Sequence, residues 1–231
     1  MPAICRACDA RHRGVCGALS ASQLRKLNQF TRQEIIPAKC ELTAERQTNE
    51  RYANILRGVV KLSKLMEDGR QQIVGLQFAP DFLGRPFKPV SDVSVEAATE
   101  VQICTFPKSV LEKLIEENPA LEHKLHEQTL RELDEARNWM LTLGRKTASE
   151  KVANFIYLIA SHSNPERNKN SEIAEVELPL KRSEIADFLG LTIETVSRQI
   201  TKLRKVGILE TQEGRTIHIL HMSRLRAACG H

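Results

Sequence analysis

The segment Ser183–Leu209, SEIADFLGLTIETVSRQITKLRKVGIL, decides how the chain is read. Ser183 can cap a short helix through Leu189, and Gly190 offers the permissive backbone of a tight turn. Thr192 can cap a second helix that runs to about Val206 and stops at Gly207. Two short helices across such a turn form a helix-turn-helix unit. In the second helix Ile193, Val196, Ile200 and Leu203 recur at helical intervals and are expected in the core. Glu194, Ser197 and Arg198 project from the opposite side at i, i+3 and i+4, with Thr201 and Lys205 following.

That exposed face has the chemistry of a major-groove reader. Arg pairs with guanine O6 and N7, Glu accepts from cytosine N4, and Ser bonds either way. Thr192 and Thr195 open the helix on the same side. Lys202, Arg204 and Lys205 are better placed for phosphates. From Arg198 to Lys205 there are four basic residues and no acidic one. A formal net charge of +5 permits nucleic-acid binding without requiring it, so this local clustering carries the argument. A lone Glu-x-x-Ser-Arg is ordinarily a solvated surface pattern. Here it lies inside a helix-turn-helix followed by a hairpin with Glu213-Gly214 at its tip, which reads as a wing.

Working outward, residues 145–231 form one domain, with TASEKVANFIYLIASHS as an amphipathic helix capped by Thr147. Before it, Ala120–Leu143 reads as a helix about 36 Å long at 1.5 Å per residue, ended by Gly144. Its Thr129, Leu133, Ala136, Met140 and Leu143 are spaced 4-3-4-3, a narrow seam of the coiled-coil kind. The seam fits either a helix lying on its own domain or a dimer contact. KSVLEKLIEENP gives a shorter helix ended at Asn118-Pro119. From about Glu34 to Pro107 short β-like runs alternate with turn residues, and Asp68-Gly69 marks a hairpin. These runs predict a barrel or roll. SASQLRKLNQF reads as a short helix behind Ser20 or Ser22.

The 231 residues, 41% of them hydrophobic, suit one or two folded domains. VANFIYLIA, the longest nearly unbroken apolar stretch, is too short to cross a bilayer. The N-terminal residues carry Arg6, Arg11 and Arg13 and no apolar run, so no signal peptide is expected. A cytoplasmic protein with reduced thiols follows. No Walker A loop, G-x-G-x-x-G, G-x-S-x-G or H-E-x-x-H occurs, which argues against an enzyme.

Six cysteines in such a protein point to metal or redox chemistry. Cys5, Cys8 and Cys16 are spaced C-x2-C-x7-C, and the short loop can turn two sulfurs toward one centre. Three thiolates complete neither a zinc site nor a cubane cluster. Cys40, Cys104, Cys229 and His12 are the candidate fourth ligands. Cys229 lies near the chain end in the DNA-binding half, and Cys40 reads as a small residue on a strand. Spacing alone leaves zinc, an iron–sulfur cluster and thiol switching open.

SEIADFLGLTIETVSRQITKLRKVGIL resembles the winged helix-turn-helix of the cyclic-AMP receptor family, specifically its fumarate-and-nitrate-reductase regulator (FNR) branch, and the similarity extends from the cysteines to the wing. The CRP/FNR resemblance implies an α+β chain: a cupin-like β-roll sensor domain at 1–118, a dimerisation helix at 119–144 and a winged helix-turn-helix at 145–231. It implies that Glu194, Ser197 and Arg198 contact bases of a TTGAT-type inverted repeat in double-stranded DNA, and that Leu133, Ala136, Met140 and Leu143 join a homodimer. It implies an oxygen-labile [4Fe-4S] cluster on Cys5, Cys8, Cys16 and Cys104, the last matching the family's distant cluster cysteine. The function implied is oxygen-sensing transcription regulation, activation included, of anaerobic or microaerobic genes. Zinc, thiol redox chemistry and nitric oxide remain the alternative signals. The hairpin MEDGRQQ, residues 66–72, is by the same analogy an RNA polymerase contact. The parent family's cyclic-nucleotide grip needs an arginine and a Glu near the end of the roll. Here Arg85-Pro86 follows Gly84 where the family has Glu-Leu, and no arginine lies between Pro86 and Val101, so no cyclic nucleotide is expected.

Overall fold

The computed structural model describes residues 3–6, 8–48, 50–163, 171–212 and 215–230. The chain divides into two compact units, Met1–Glu135 and Ala136–His231.

The first unit begins with short helices, α1 (Ala3–Arg6), α2 (Asp9–Arg13), a 3-10 turn (Val15–Ala18) and α3 (Ala21–Asn28). Ser20 caps α3: its hydroxyl accepts from the Gln23 amide while the Gln23 side chain accepts from the Ser20 amide. Eight strands follow: β1 (Arg32–Ile36), β2 (Glu41–Thr43), β3 (Arg51–Arg57), β4 (Val59–Leu65), β5 (Gln71–Phe78), β6 (Phe82–Leu83), β7 (Ser94–Ala97) and β8 (Val101–Pro107). They form two four-stranded antiparallel sheets ordered β1-β8-β3-β6 and β2-β7-β4-β5, the expected roll. The β4–β5 hairpin closes through the Asp68-Gly69 turn, where Met66 and Arg70 pair and Asp68 accepts from the Arg70 amide.

Strand alternation supplies the core. Ile55, Val60, Ala97, Val101 and Ile103 point inward and pack together between the sheets. A second cluster joins the N-terminal helices to the roll: Leu24 and Leu27 of α3 pack with Tyr52, Phe82 and Phe106. Leu111, Leu114 and Ile115 of α4 (Lys108–Glu117) complete it with Leu121 of α5 (Pro119–Arg145). Burying each such side chain contributes about 1.5–3 kcal/mol, so this cluster fixes the cysteine-bearing segment against β3 and β8. Gly14 permits a close approach, since a Cβ there would sit 2.8 Å from the Ala10 carbonyl oxygen and 3.0 Å from that of Pro80.

The helix α5 runs one turn-end further than expected, through Gly144 to Arg145. Gly144 meets no neighbour and adopts helical backbone, so it does not break the helix. In the second unit Trp139 packs on Phe188 with ring centroids 4.5 Å apart, and buried Thr142 accepts from the Asn154 amide. There α6 (Ala148–Ser163), β9 (Ala174–Glu177), α7 (Arg182–Leu189), α8 (Ile193–Lys205), β10 (Leu209–Thr211), β11 (Thr216–Ile219) and α9 (Met222–Ala227) follow, with a sheet ordered β10-β11-β9. Thr147 caps α6 as expected, accepting from the Glu150 amide while Glu150 accepts from that of Thr147. Ser183 does not cap α7. Lys181 holds that position, and its amide donates to the Glu184 carboxylate at 2.8 Å, so the helix starts a residue before the hydroxyl.

Candidate functional sites: an exposed recognition helix and four partly buried cysteines

Gly190 ends α7 in the left-handed region at φ 61°, which turns the chain sharply into α8. The Thr192 hydroxyl accepts from the Thr195 amide at 3.2 Å and caps α8. Val196, Ile200 and Leu203 are buried, so one stripe of the helix is fixed to the unit. Ile193 departs from the expected core stripe and is 47% exposed. Side chains on a helix lean toward its N-terminus, so this first-turn residue projects past the packed face.

On the outer side Thr192, Glu194, Ser197, Arg198, Lys202 and Lys205 are exposed, and Thr195 and Thr201 are half-buried. Glu194's own backbone amide and the Thr192 hydroxyl hold its carboxyl below the usual carboxylate range, so it stays an acceptor. An arginine nitrogen of Arg198 donates to the Thr195 hydroxyl at 3.5 Å, which keeps the guanidinium along the helix face. Glu194 lies in the first turn and Lys202, Arg204 and Lys205 in the last, the arrangement the helix dipole favours. Arg224 donates to the Val206 carbonyl at 2.9 Å and secures the helix end. Beside α8, β10 and β11 pair from Leu209↔Ile219 to Thr211↔Ile217, forming the hairpin read as a wing. Its Glu213-Gly214 tip lies outside the described residues, as does most of the polar loop before β9.

On α5 Leu133, Ala136, Met140 and Leu143 are all exposed, Met140 by 72%, and so is Thr129. The hairpin tip 66–71 is exposed as well.

The four cysteines come from three elements and a cap. Cys5 lies on α1, Cys8 caps α2, Cys16 lies in the 3-10 turn and Cys104 on β8. All are partly buried and none is in a disulfide. Burial pushes the Cys16 thiol up to about 12, with Cys104, Cys5 and Cys8 adding to the rise. Burial pushes Cys104 up to about 11, with Cys5 and Cys8 contributing. Burial also raises Cys5, followed by Cys8. Each sulfur is therefore within electrostatic reach of the other three. Burial favours the neutral form of Cys5, Cys16 and Cys104, and a cationic centre beside them would favour the thiolates. Among the described residues no three His, Cys, Asp or Glu side chains close on a single ion position. A multinuclear centre takes one thiolate per iron and does not require that convergence.

Of the other candidate ligands, His12 is exposed on α2, and Cys40 is exposed in the turn between β1 and β2 rather than on a strand. Cys229 is fully buried in the second unit, where its thiol donates to the Leu225 carbonyl.

Sequence reasoning missed Asn54. It faces Cys104 across the β3–β8 ladder, and its amide donates to the Cys16 sulfur at 3.2 Å. Its Oδ1 is buried without a partner. A single amide inside the apolar run YANIL was the available signal.

A β-roll, a long helix and a winged helix-turn-helix with an exposed recognition face define a DNA-binding transcription regulator rather than an enzyme. Residues 33–118 match the cyclic nucleotide-binding domain and residues 150–228 the Crp-like helix-turn-helix domain. The chain is 54% identical over 224 residues to a probable transcriptional activator of Rhizobium leguminosarum, covering 97% of this chain and 92% of that protein. It is 36% identical to the transcriptional activator protein FnrL of Cereibacter sphaeroides, covering 98% and 92%. FixK2 of Bradyrhizobium japonicum superimposes with a TM-score of 0.76 at 31% identity, covering 87% of this chain and 98% of that one. The chain belongs to the CRP/FNR family of transcription regulators. Among the described residues no helix is long and apolar enough to cross a membrane.

Proposed function

We propose that this regulator is an oxygen-responsive transcription activator whose Cys5, Cys8, Cys16 and Cys104 hold a [4Fe-4S] cluster. The observation that supports the reading is Asn54, which pairs with Cys104 on β8 and donates to the Cys16 sulfur, beside partly buried thiols that raise one another. The Asn54 N–H directed at Cys16 fits a thiolate ligand, because a donor beside a metal-bound sulfur stabilises its negative charge. A bound cluster would supply an oxygen-reactive redox centre tying the first helices to β8.

The chain's own residues do the rest. Leu133, Ala136, Met140 and Leu143 pair two copies along α5. Two α8 helices then address half-sites about one DNA turn apart, with Glu194, Ser197 and Arg198 on bases of a TTGAT-type repeat. Thr192, Thr195, Thr201, Lys202 and Lys205 hold the backbone around them. The 66–72 hairpin contacts RNA polymerase. The activator role follows that of the Rhizobium leguminosarum and Cereibacter sphaeroides relatives, a probable transcriptional activator and the transcriptional activator protein FnrL. A cyclic nucleotide is not the signal in this reading. Arg85, the arginine at the end of the roll, is turned to the surface and paired with Asp92 at 2.8 Å.

The test is metal analysis with a visible spectrum on anoxically purified protein. The expected result is a coloured protein with about four irons per chain that bleaches in air and loses DNA affinity with the colour. Cys104→Ser should abolish the colour and Cys40→Ser should leave it. A colourless protein with one zinc per chain, or one whose DNA affinity is unchanged after iron removal, overturns the reading.

A further inference from the structure

Cys104 on β8 faces Asn54 on β3, and the next residue across the same sheet is Phe82 on β6. β6 is only two residues long and has no strand on its outer side. Gln128 of α5 takes that place. Its Oε1 accepts from the Phe82 amide at 3.2 Å and its Nε2 donates to the Phe82 carbonyl at 3.1 Å. A carboxamide carries one acceptor and one donor group side by side, so Gln completes the ladder as another backbone would.

The same Nε2 donates to Glu132 at 2.7 Å, and Gln77 of β5 donates to that carboxylate oxygen at 3.2 Å. These bonds fix the amide's orientation. Gln128 is only 6% exposed, so its bonds to Phe82 have little competition from water. The Phe82 ring packs against Tyr52 and Phe106 at 5.5 and 6.2 Å. Both are two residues along their strands from Asn54 and Cys104. A lateral row Cys104–Asn54–Phe82–Gln128 therefore runs from the sulfurs to the long helix and ends five residues before exposed Leu133. Alongside the row, a cavity of about 200 Å³ lined by Arg13, Val15, Pro80, Lys124 and Gln128 separates the cysteine-bearing segment from α5. Val15 and Leu121 share one core cluster at the start of α5, and further along the helix the row Cys104–Asn54–Phe82–Gln128 is the link to it.

We propose that Gln128 is the positioning residue that transmits the state of the cysteine site to the dimerisation face of α5. The inference rests on the oxygen-responsive reading above, with α5 as the dimer helix. A change in how Cys16 and Cys104 are held acts on Asn54 and the β3–β6 ladder. Gln128 converts the resulting shift of Phe82 into a shift of the helix turn that carries Glu132 and Leu133.

The experiment compares full-length parent and Gln128→Met, each iron-loaded and iron-stripped, by sedimentation equilibrium and by binding to one TTGAT-type duplex. Methionine fills a similar volume without either hydrogen bond. Iron content and visible spectrum are expected to match the parent. The ratio of loaded to stripped affinities is expected to fall roughly threefold or more, a usual size for loss of one coupling residue. A purely structural role would weaken both forms alike and leave the ratio unchanged, which overturns the proposal. A parent whose two forms bind equally removes the oxygen-responsive reading and this inference together, so the parent control separates the two failures. If Gln128→Met does not fold, Glu132→Ala removes the acceptor that orients the amide, together with its bond from Gln77, and leaves both Gln128 bonds to Phe82 possible. The same fall is expected there, and an unchanged ratio is again the contrary result.

Discussion

The Asn54 amide donates to the Cys16 sulfur at 3.2 Å while the amide's own oxygen is buried without a partner. The two halves of one side chain thus act in opposite directions, one stabilising a sulfur and the other left unpaired.

Replacing Asn54 by Leu removes both effects. Loss of the unpaired oxygen offsets loss of the N–H bond, so thermal unfolding of the iron-free chain should change by no more than about 1 kcal/mol. Retention of iron against a chelator should fall by about 10–100-fold, the usual consequence of deleting a partner of a metal ligand. Equal loss in both measurements would make Asn54 a packing residue only.

The raised thiols give the iron-free chain a signature in pH. Cys16 is pushed from 9.0 up to about 12 by burial first and then by its neighbouring cysteines, so folding favours its neutral form. That contribution is complete below pH 9.0 and is lost as pH rises toward 12, because the unfolded chain releases the proton first. Cys16→Ala should therefore lose less stability than the parent between these values. Matched melting curves at several alkaline pH values check it, and parallel declines would refute it.

Arg198 and Lys202 are exposed one helical turn apart on α8. Arg198→Ala should cost about 1–3 kcal/mol of DNA binding and relax preference at one base pair. Lys202→Ala should weaken all sequences alike and lower the salt dependence by about one unit of slope. Competition binding on single-base variants distinguishes the two, and identical profiles would make Arg198 a phosphate contact.

Met140 is 72% exposed, so a charge there meets water in the isolated chain. Met140→Glu should change unfolding of the single chain by no more than about 0.5 kcal/mol. It should drive the protein to monomer in sedimentation, with DNA affinity falling in step. A variant that remains dimeric would remove Met140 from the interface.

Some of this was legible residue by residue. The helix-turn-helix declares itself through local signals: the 3.6-residue stripe of Val196, Ile200 and Leu203, the Thr192 cap and the Gly190 turn. The Asp68-Gly69 hairpin and the Ser20 and Thr147 caps are local in the same sense. Where local rules competed, the reading shifted. Lys181 with Glu184 outranked Ser183 as a helix start, helical backbone carried through Gly144, and Ile193 fell at a helix end where no packed neighbour covers it.

The sequence by itself determined the elements, the polar face of α8 and the cluster of three N-terminal cysteines, because propensity, capping and periodicity act within a few residues. Only the tertiary structure decided that Cys104 pairs with Asn54 while Cys40 faces solvent, that the Asn54 amide reaches Cys16, and that Gln128 closes the edge of β6. Those relations depend on strand order and register, which are set by burial of side chains far apart along the chain and leave no local trace.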